Sequence, residues 1–424
     1  MKKENLYLKG NESEEEIGMN DNDVVIVMGV RTPFSPFGGA MKALHSTDLG
    51  AMVMKELLDR TGVQGSDIDE VYYGMSTPAE AALLNNIMAR QALLKAGLPP
   101  ETVSMTIDRA CCSSIATAIL AFRSIKAGEG EVFLAVGAEN LSNAPLIPPA
   151  TIRWGGRMGS MEFHDCLSPL GHPWISEPEA RNAGETAVEY EVSREEQDQW
   201  AYQSQMRYQE ALKARKYKVG EELMAVEVPQ RKGPPLVIEN DLFPKPETTL
   251  EKLAKLRTIY DSPTVTPGNA PGLDTGAAGV LIMTRKKAKE FGLEPIATLV
   301  ASASVCTEPH LLAVNPGRAI KKLLDKTNTN LDDVDLLEIN EAFAAVPLVS
   351  SKILGDMDDE KTKRIRDRLN VNGGAIAIGH PVGASGARLI ITLMYELKRR
   401  GGGLGIAGIC GGLSQGDAVL IKVG

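Results

Sequence analysis

Cysteine is scarce in this chain of 424 residues, which has five, at positions 111, 112, 166, 306 and 410. Their spacing matches neither a paired disulfide framework nor a zinc site, so a reducing cytoplasm is the expected setting. Histidine is equally sparse, also five in all. No uninterrupted apolar run reaches the roughly 18 residues of a membrane helix. The opening Met1-Lys2-Lys3-Glu4 leads into polar residues and not into the apolar core of a signal peptide. Excess positive charge is missing too: 46 Lys and Arg stand against 55 Asp and Glu, a net charge of -9. That balance argues against nucleic acid or an anionic membrane as the main partner, though local basic residues remain for phosphorylated ligands. A cytoplasmic, non-secreted protein is the expectation.

What is present suffices for a large core. At 424 residues with 43% apolar content, two or three domains are expected. Residues 1–22 hold Glu4, Glu12, Glu14, Glu15 and Glu16 with little that packs, and read as a mobile tail without chemistry. Beyond it, two stretches follow one plan. Val24-Val25-Ile26-Val27 answers to Ile296-Ala297-Thr298-Leu299-Val300, and Asp67-Ile68-Asp69-Glu70-Val71 to Asp333-Val334-Asp335-Leu336-Leu337. The strand ends at Ile107 and Val371 correspond, as do the strands at Val132 and Leu404. Within each copy strands alternate with helices, which predicts an α/β protein with parallel or mixed sheets covered by helices. Residues 143–269 lie between the copies and are rich in Pro, Gly and charge; a long insertion of this kind usually covers or shapes a binding site. Ser193-Arg194-Glu195-Glu196 has capping-box spacing at the start of a helical run.

Four residues carry the chemistry. Cys111 stands between the alternation Val103, Met105, Ile107 and the helical pattern Ile115, Ile119, Phe122, where a strand turns into a helix. A helix N-terminus favours an anion, and the thiolate is the nucleophilic form. Unpaired cysteines are more often small buried hydrophobes, yet Asp108-Arg109-Ala110-Cys111-Cys112-Ser113-Ser114 leaves room for a carbonyl to approach. Cys112, one position on, points about 100° away. His380 lies in Asn372-Gly373-Gly374-Ala375-Ile376-Ala377-Ile378-Gly379-His380-Pro381-Val382-Gly383. Flanking glycines and a fixed proline φ hold its imidazole on a rigid loop, as a general base requires. Cys410 ends the apolar strand Gly405-Ile406-Ala407-Gly408-Ile409 and precedes Gly411 and Gly412. Backbone N–H groups there can hold an oxyanion, and the second thiol can shuttle a proton. Asn340 closes a strand, suited to orient a water near a developing negative charge or to cap a helix from Glu341 onward. Weaker groupings read as structure. Gly401-Gly402-Gly403-Leu404-Gly405 is a helix-to-strand turn, and His164, Asp165, Cys166 and His172 are loop residues with irregular ligand spacing. A Cys-His-Asn hydrolase built from Cys111, His380 and Asn340 leaves Cys410 without a role.

These residues, together with Arg31-Thr32-Pro33-Phe34, Arg90-Gln91-Ala92, Ser142-Asn143-Ala144-Pro145, the run from Thr248 to Leu256, Gly268-Asn269-Ala270, Asn340-Glu341-Ala342-Phe343-Ala344, Gly379-His380-Pro381 and Gly408-Ile409-Cys410-Gly411-Gly412, resemble the thiolases over nearly the whole chain after residue 22. The resemblance implies a duplicated five-layered α/β/α/β/α fold. Its N-terminal half would be 23–142, completed by residues 270–293. A loop domain at 143–269 would help bind CoA, and the C-terminal half would be 294–424. It implies that Cys111 is acylated, His380 activates it, Cys410 is the second acid/base and Asn340 holds an oxyanion-hole water. The N–H groups of Cys111 and Gly412 would bind the other oxyanion, and Lys245 and Pro271 would contact CoA. CoA and acyl-CoA enter as substrates, with no permanently bound cofactor and no metal. A homodimer or dimer of dimers is implied, with an accessory subunit as a further option. Several positions depart from the family pattern. Cys112 stands where Gly, Ala or Ser is usual, Ser114 where many have Gly, and Asn269-Ala270-Pro271-Gly272 replaces Asn-Ala-Ser-Gly. Asn182-Ala183-Gly184-Glu185-Thr186-Ala187 stands where short-chain members have His-Met-Gly-x-Thr-Ala, and Leu413 and Ser414 interrupt a run of three glycines. The expected activity is thiolysis of a 3-oxoacyl-CoA, or the reverse condensation, with acetoacetyl-CoA not the best substrate. A branched, aromatic or dicarboxylic substrate such as a benzoylsuccinyl-CoA is the alternative within the family. A decarboxylating condensing enzyme would want histidine in place of Cys410. A non-catalytic CoA-binding subunit would need none of the four residues.

Overall fold

Strand β4 (Val132–Asn140) is buried along its whole length. Val132, Leu134, Val136 and Ala138 enter one core while Phe133 and Ala135 enter another, as a strand with helices on both faces must. The computed structural model describes residues 20–78, 80, 86–156, 158–167 and 177–424. The expected tail lies outside the described residues through position 19, as does His172. The other strands of the sheet are β1 (Val24–Arg31), β2 (Glu70–Gly74), β3 (Val103–Ile107), β5 (Thr275–Thr284), β6 (Ala297–Cys306), β7 (Leu336–Ile339), β8 (Gly403–Gly411) and β9 (Gln415–Val423). They pair in the order β7-β8-β9-β6-β1-β5-β4-β2-β3.

That order is one five-strand plan used twice. The first half runs β1-β5-β4-β2-β3 and the second β6-β9-β8-β7, where an isolated bridge from Leu337 to Leu369 takes the place of the outermost pairing. The outer pairs of each half are parallel and the inner ones antiparallel. β1 carries a bulge between Ile26 and Met28, and β6 carries one between Leu299 and Ala301. Among the described residues the strands of the two halves pair with one another where Val25 meets Thr298 and Ile26 meets Ala297.

Helices complete the layers: α1 (Ser46–Thr61), α2 (Ser113–Ala127), α3 (Glu179–Glu189), α4 (Arg194–Lys213), α5 (Asn315–Thr327), α6 (Ala345–Leu354) and α7 (Ser385–Arg399). Leu49, Val53 and Leu57 of α1 pack on Val71, Leu134 and Leu281 of the first half. Ile115 and Ile119 of α2 lie with Ile390 and Leu393 of α7 between the inner faces of both half-sheets. Ile320 of α5 and Val349 of α6 cover Leu337, Ile406 and Leu420 of the second half. The result is the α/β/α/β/α layering. The segment Ala110–Ala127 is apolar and long enough by composition to cross a membrane, but it forms the middle layer. Each fully buried Leu or Ile here contributes roughly 1.5–3 kcal/mol.

Among its described residues the insertion adds no strand to this sheet beyond an isolated bridge from Leu223 to Arg31. It carries α3, α4 and two small ladders, Leu146–Ile147 with His164–Asp165 and Val226–Val228 with Leu236–Ile238. α4 begins with the expected box: Ser193 Oγ accepts from the Glu196 N–H at 3.1 Å, and the Ser193 N–H donates to Glu196 Oε2 at 2.9 Å. The buried Arg31 at the end of β1 fastens the insertion through Glu222 at 2.6 Å and Asp241 at 2.7 Å.

Candidate active site

The turn before α2 is pinned by its own side chains. Ala110 sits at φ +48, in the left-handed region. Asp108 Oδ1 accepts its N–H at 3.0 Å. Ser113 Oγ accepts from the Arg109 N–H at 2.9 Å and donates to Ala110 O at 2.7 Å. Cys111 rides on this elbow. The helix opens at Ser113 with Cys112 as N-cap, so Cys111 lies just outside it, in the turn from strand to helix. Cys112 is fully buried, with Sγ 3.7 Å from Ile409 O, and is a packing residue.

The His380 loop is bolted to the first half by two buried carboxylates that sequence reasoning missed. Asp274 Oδ2 accepts the His380 N–H at 2.6 Å, and Glu139 Oε2 accepts from Gly383 N–H at 2.9 Å and Ser76 N–H at 3.0 Å. Gly379, at φ +111, is required there, because a Cβ would press on the Asp274 carboxylate. Burial pushes both carboxyls up to about 7. Gly386 in the first turn of α7 lies so near Ile115 that a side chain would overlap its backbone, and the Ala387 N–H donates to Ser114 Oγ at 2.9 Å. The equivalent helices of the two halves thus meet at their N-termini. Cys111 and His380 are carried there from opposite halves.

His380 Nε2 stands 3.3 Å from Cys111 Sγ, and Nδ1 lies 2.6 Å from Ser385 Oγ. The Ser385 hydroxyl has one proton, which it donates to Pro381 O at 2.8 Å. It must therefore accept from Nδ1–H, which leaves Nε2 bare toward the thiol. Burial, then the nearby Arg388 charge, lowers the His380 pKa to about 3. Burial, then the charges of Cys410 and Glu179, pushes the Cys111 thiol well above its usual value, with its own backbone N–H pulling the other way. The resting pair is neutral thiol and neutral imidazole. Enclosure between two sheets thus opposes the anion that a helix N-terminus favours, and His380 is the group placed to take the proton.

Asn340 ends β7 with Nδ2 3.5 Å from His380 Nε2. Arg388 Nη2 donates to its Oδ1 at 3.3 Å, so the amide N–H groups face the site. Asn340 caps no helix, since α6 starts at Ala345 with Ala344 as N-cap. Cys410 is wholly buried in β8, its thiol pushed up by burial and then by Glu179. A Cβ on Gly412 would lie 3.1 Å from the Ala110 Cβ, so the end of β8 rests against the Cys111 elbow. Leu413 and Ser414, at φ +56 and +60, form the tight turn into β9. The Leu413 N–H donates to Glu179 Oε1 of α3 at 3.4 Å. Cys111, His380, Asn340, Cys410 and Gly412 therefore converge.

Lys245 lies along a cleft of about 240 Å³ with Gln205, Thr248, Lys252, Leu256 and Ile376. The lining reaches Ala270 and stops short of Pro271. Among the described residues no group of three His, Cys, Asp or Glu is placed to hold a metal. His164 and Asp165 pair with Ile147 and Leu146 in an exposed ladder.

Comparison with known proteins fits this geometry. Residues 24–286 match the model of the thiolase N-terminal domain, and residues 293–423 that of the thiolase C-terminal domain. The chain is 40% identical over 403 residues to an acetyl-CoA acetyltransferase of Chromobacterium violaceum, covering 94% of this chain and 99% of the relative. It is 38% identical over 404 residues to a beta-ketoadipyl-CoA thiolase of Acinetobacter baylyi, covering 94% and 98%. Among solved structures, the Bacillus anthracis acetyl-CoA acetyltransferase superposes with a TM-score of 0.88 at 36% identity, over 95% of this chain and 98% of that one. Human mitochondrial 3-ketoacyl-CoA thiolase does so with 0.87 at 35%, over 95% and 99%.

Proposed function

Because the chain belongs to the thiolase family, whose members it matches across both halves, we propose that this acyltransferase cleaves a 3-oxoacyl-CoA with CoA through an acyl-enzyme on Cys111. The observation that carries the assignment is the bare Nε2 of His380 at 3.3 Å from Cys111 Sγ. His380 Nε2 takes the thiol proton as Sγ bonds the 3-oxo carbon. The bond between C2 and C3 breaks, and its electron pair passes into the enolate of acetyl-CoA. Cys410 gives its proton to C2 and becomes the thiolate. CoA then enters, and its thiol proton returns to Cys410. The CoA sulfur attacks the acyl group, and Cys111 leaves and recovers its proton from His380.

The neutral resting pair fits this sequence, since charge separates only as the substrate carbonyl accepts it. Asn340, with its N–H groups aimed inward, would hold a water on the enolate oxygen, and the N–H groups of Cys111 and Gly412 would hold the oxyanion at C3. One such donor is worth ~3 kcal/mol. The cleft beside Lys245 and Lys252 suits a phosphorylated carrier, with Leu253, Leu256 and Ile376 as its apolar wall. Asn182, buried in α3 where the short-chain members carry a histidine, supports a substrate other than acetoacetyl-CoA. The test is to incubate the protein with a 3-oxoacyl-CoA, quench, and map the acyl adduct by mass spectrometry. The adduct is expected on Cys111 and to be absent from Cys111→Ala; an adduct on Cys112 with Cys111 free overturns the assignment.

A further inference from the structure

Glu179 opens α3, the helix that also carries Asn182 to Ala187, and no step above uses it. Its Oε1 holds the Leu413 N–H at 3.4 Å and lies 3.4 Å from where a Cβ on Gly412 would stand. The carboxyl therefore sits directly over the strand end that follows Cys410. Its charge reaches both thiols, since it helps raise Cys410 and Cys111 alike. Burial pushes it up to about 7, opposed only by the Leu413 N–H. Among the described residues no Lys or Arg pairs with it: Arg181, two positions along, is committed to Glu177 and Glu185. Oε2 has no hydrogen-bond partner among those residues.

A carboxyl this close to the reacting thiols, with no counter-ion, does not help a thiolate form, so catalysis alone gives it no reason to be there. Gly412 touches both Ala110, beside Cys111, and Glu179, so an acyl group on Cys111 falls within reach of the same charge. Resting on the thiolase reading, we propose that Glu179 is a specificity residue of the acyl pocket. It turns away acyl chains bearing a carboxylate and admits neutral chains or chains that offer a hydrogen-bond donor to Oε2. Two carboxylates some 6 to 8 Å apart at an effective dielectric near 20 repel enough to separate otherwise equal substrates by about 10- to 100-fold.

The experiment compares kcat/KM at pH 8 for 3-oxohexanoyl-CoA and 3-oxoadipyl-CoA, which share a six-carbon chain and differ in a terminal carboxylate. Wild type, Glu179→Gln and Glu179→Ala are measured together. The ratio of 3-oxoadipyl-CoA to 3-oxohexanoyl-CoA is expected to rise by about 10- to 100-fold in both variants. A purely structural role, holding Leu413, lowers both substrates together and leaves the ratio alone. A ratio within about twofold of wild type, with 3-oxohexanoyl-CoA still cleaved, overturns the inference and leaves the thiolase reading standing. A wild type that cleaves no 3-oxoacyl-CoA overturns both.

Discussion

Ser385→Ala isolates the tautomer of His380. The hydroxyl accepts from Nδ1 at 2.6 Å and donates to Pro381 O at 2.8 Å, and alanine removes both bonds with little change in volume. A buried Nδ1–H without a partner costs about 1–3 kcal/mol. The ring escapes that cost by moving its proton to Nε2, where it can no longer receive one from Cys111. The cost corresponds to about 5- to 150-fold in the population of the competent tautomer, so kcat should fall by about 10- to 100-fold. KM should stay within about threefold, because Ser385 is buried behind the ring and supplies no substrate contact. The assay is steady-state thiolysis of a 3-oxoacyl-CoA beside single-turnover acylation of Cys111. The loss should appear in both, while circular dichroism reports the native fold. Ser385→Thr, which keeps the hydroxyl, should recover part of the rate. A folded Ser385→Ala protein with kcat within about twofold of wild type refutes the assignment of the bare nitrogen.

Two further outcomes follow from the same geometry. Cys410→Ala should still acylate Cys111, which His380 serves, but deuterium exchange into the methyl group of acetyl-CoA should become much slower; wild-type exchange in that variant removes Cys410 from the mechanism. The folded pKa of His380, about 3, lies below the ordinary 6.5, so the unfolded chain binds the proton first. This group's share of stability is complete above about pH 6.5 and drains as pH falls toward 3. Between pH 5 and 8 the imidazole NMR signal that disappears in His380→Gln should not titrate, and a midpoint near 6.5 would contradict the neutral resting pair.

Cys111, His380, Cys410 and Asn340 were legible in the sequence because each adjoins residues whose backbone freedom or restriction is itself a signal. Glycines flank His380 and follow Cys410, a proline fixes the loop after the histidine, and small residues surround Cys111. Ser385, Glu139, Asp274 and Glu179 carry no such mark. Glu139 reaches Gly383 from 244 positions away and Asp274 reaches His380 from 106, and no local pattern predicts that pairing. The doubled plan was readable because matching strands recur in one order. The strand pairing that joins the two half-sheets was not, because two residues of β1 and two of β6 make it. The desolvation of Cys111 was not legible for a related reason: a helix N-terminus can be read from a few residues, whereas the burial that opposes its effect comes from both sheets together.

Cys111 and His380 stand 269 positions apart, and that separation also sets an order of events as the chain is made. Synthesis delivers the N-terminal part first, and β5, which must slip between β1 and β4, emerges only after the whole insertion. The nascent chain thus displays its nucleophile long before it owns a base. Without His380 no imidazole nitrogen is placed to take the proton of the thiol. An unfinished chain holds the cysteine without the imidazole set beside it, and the pair is complete only when both halves are.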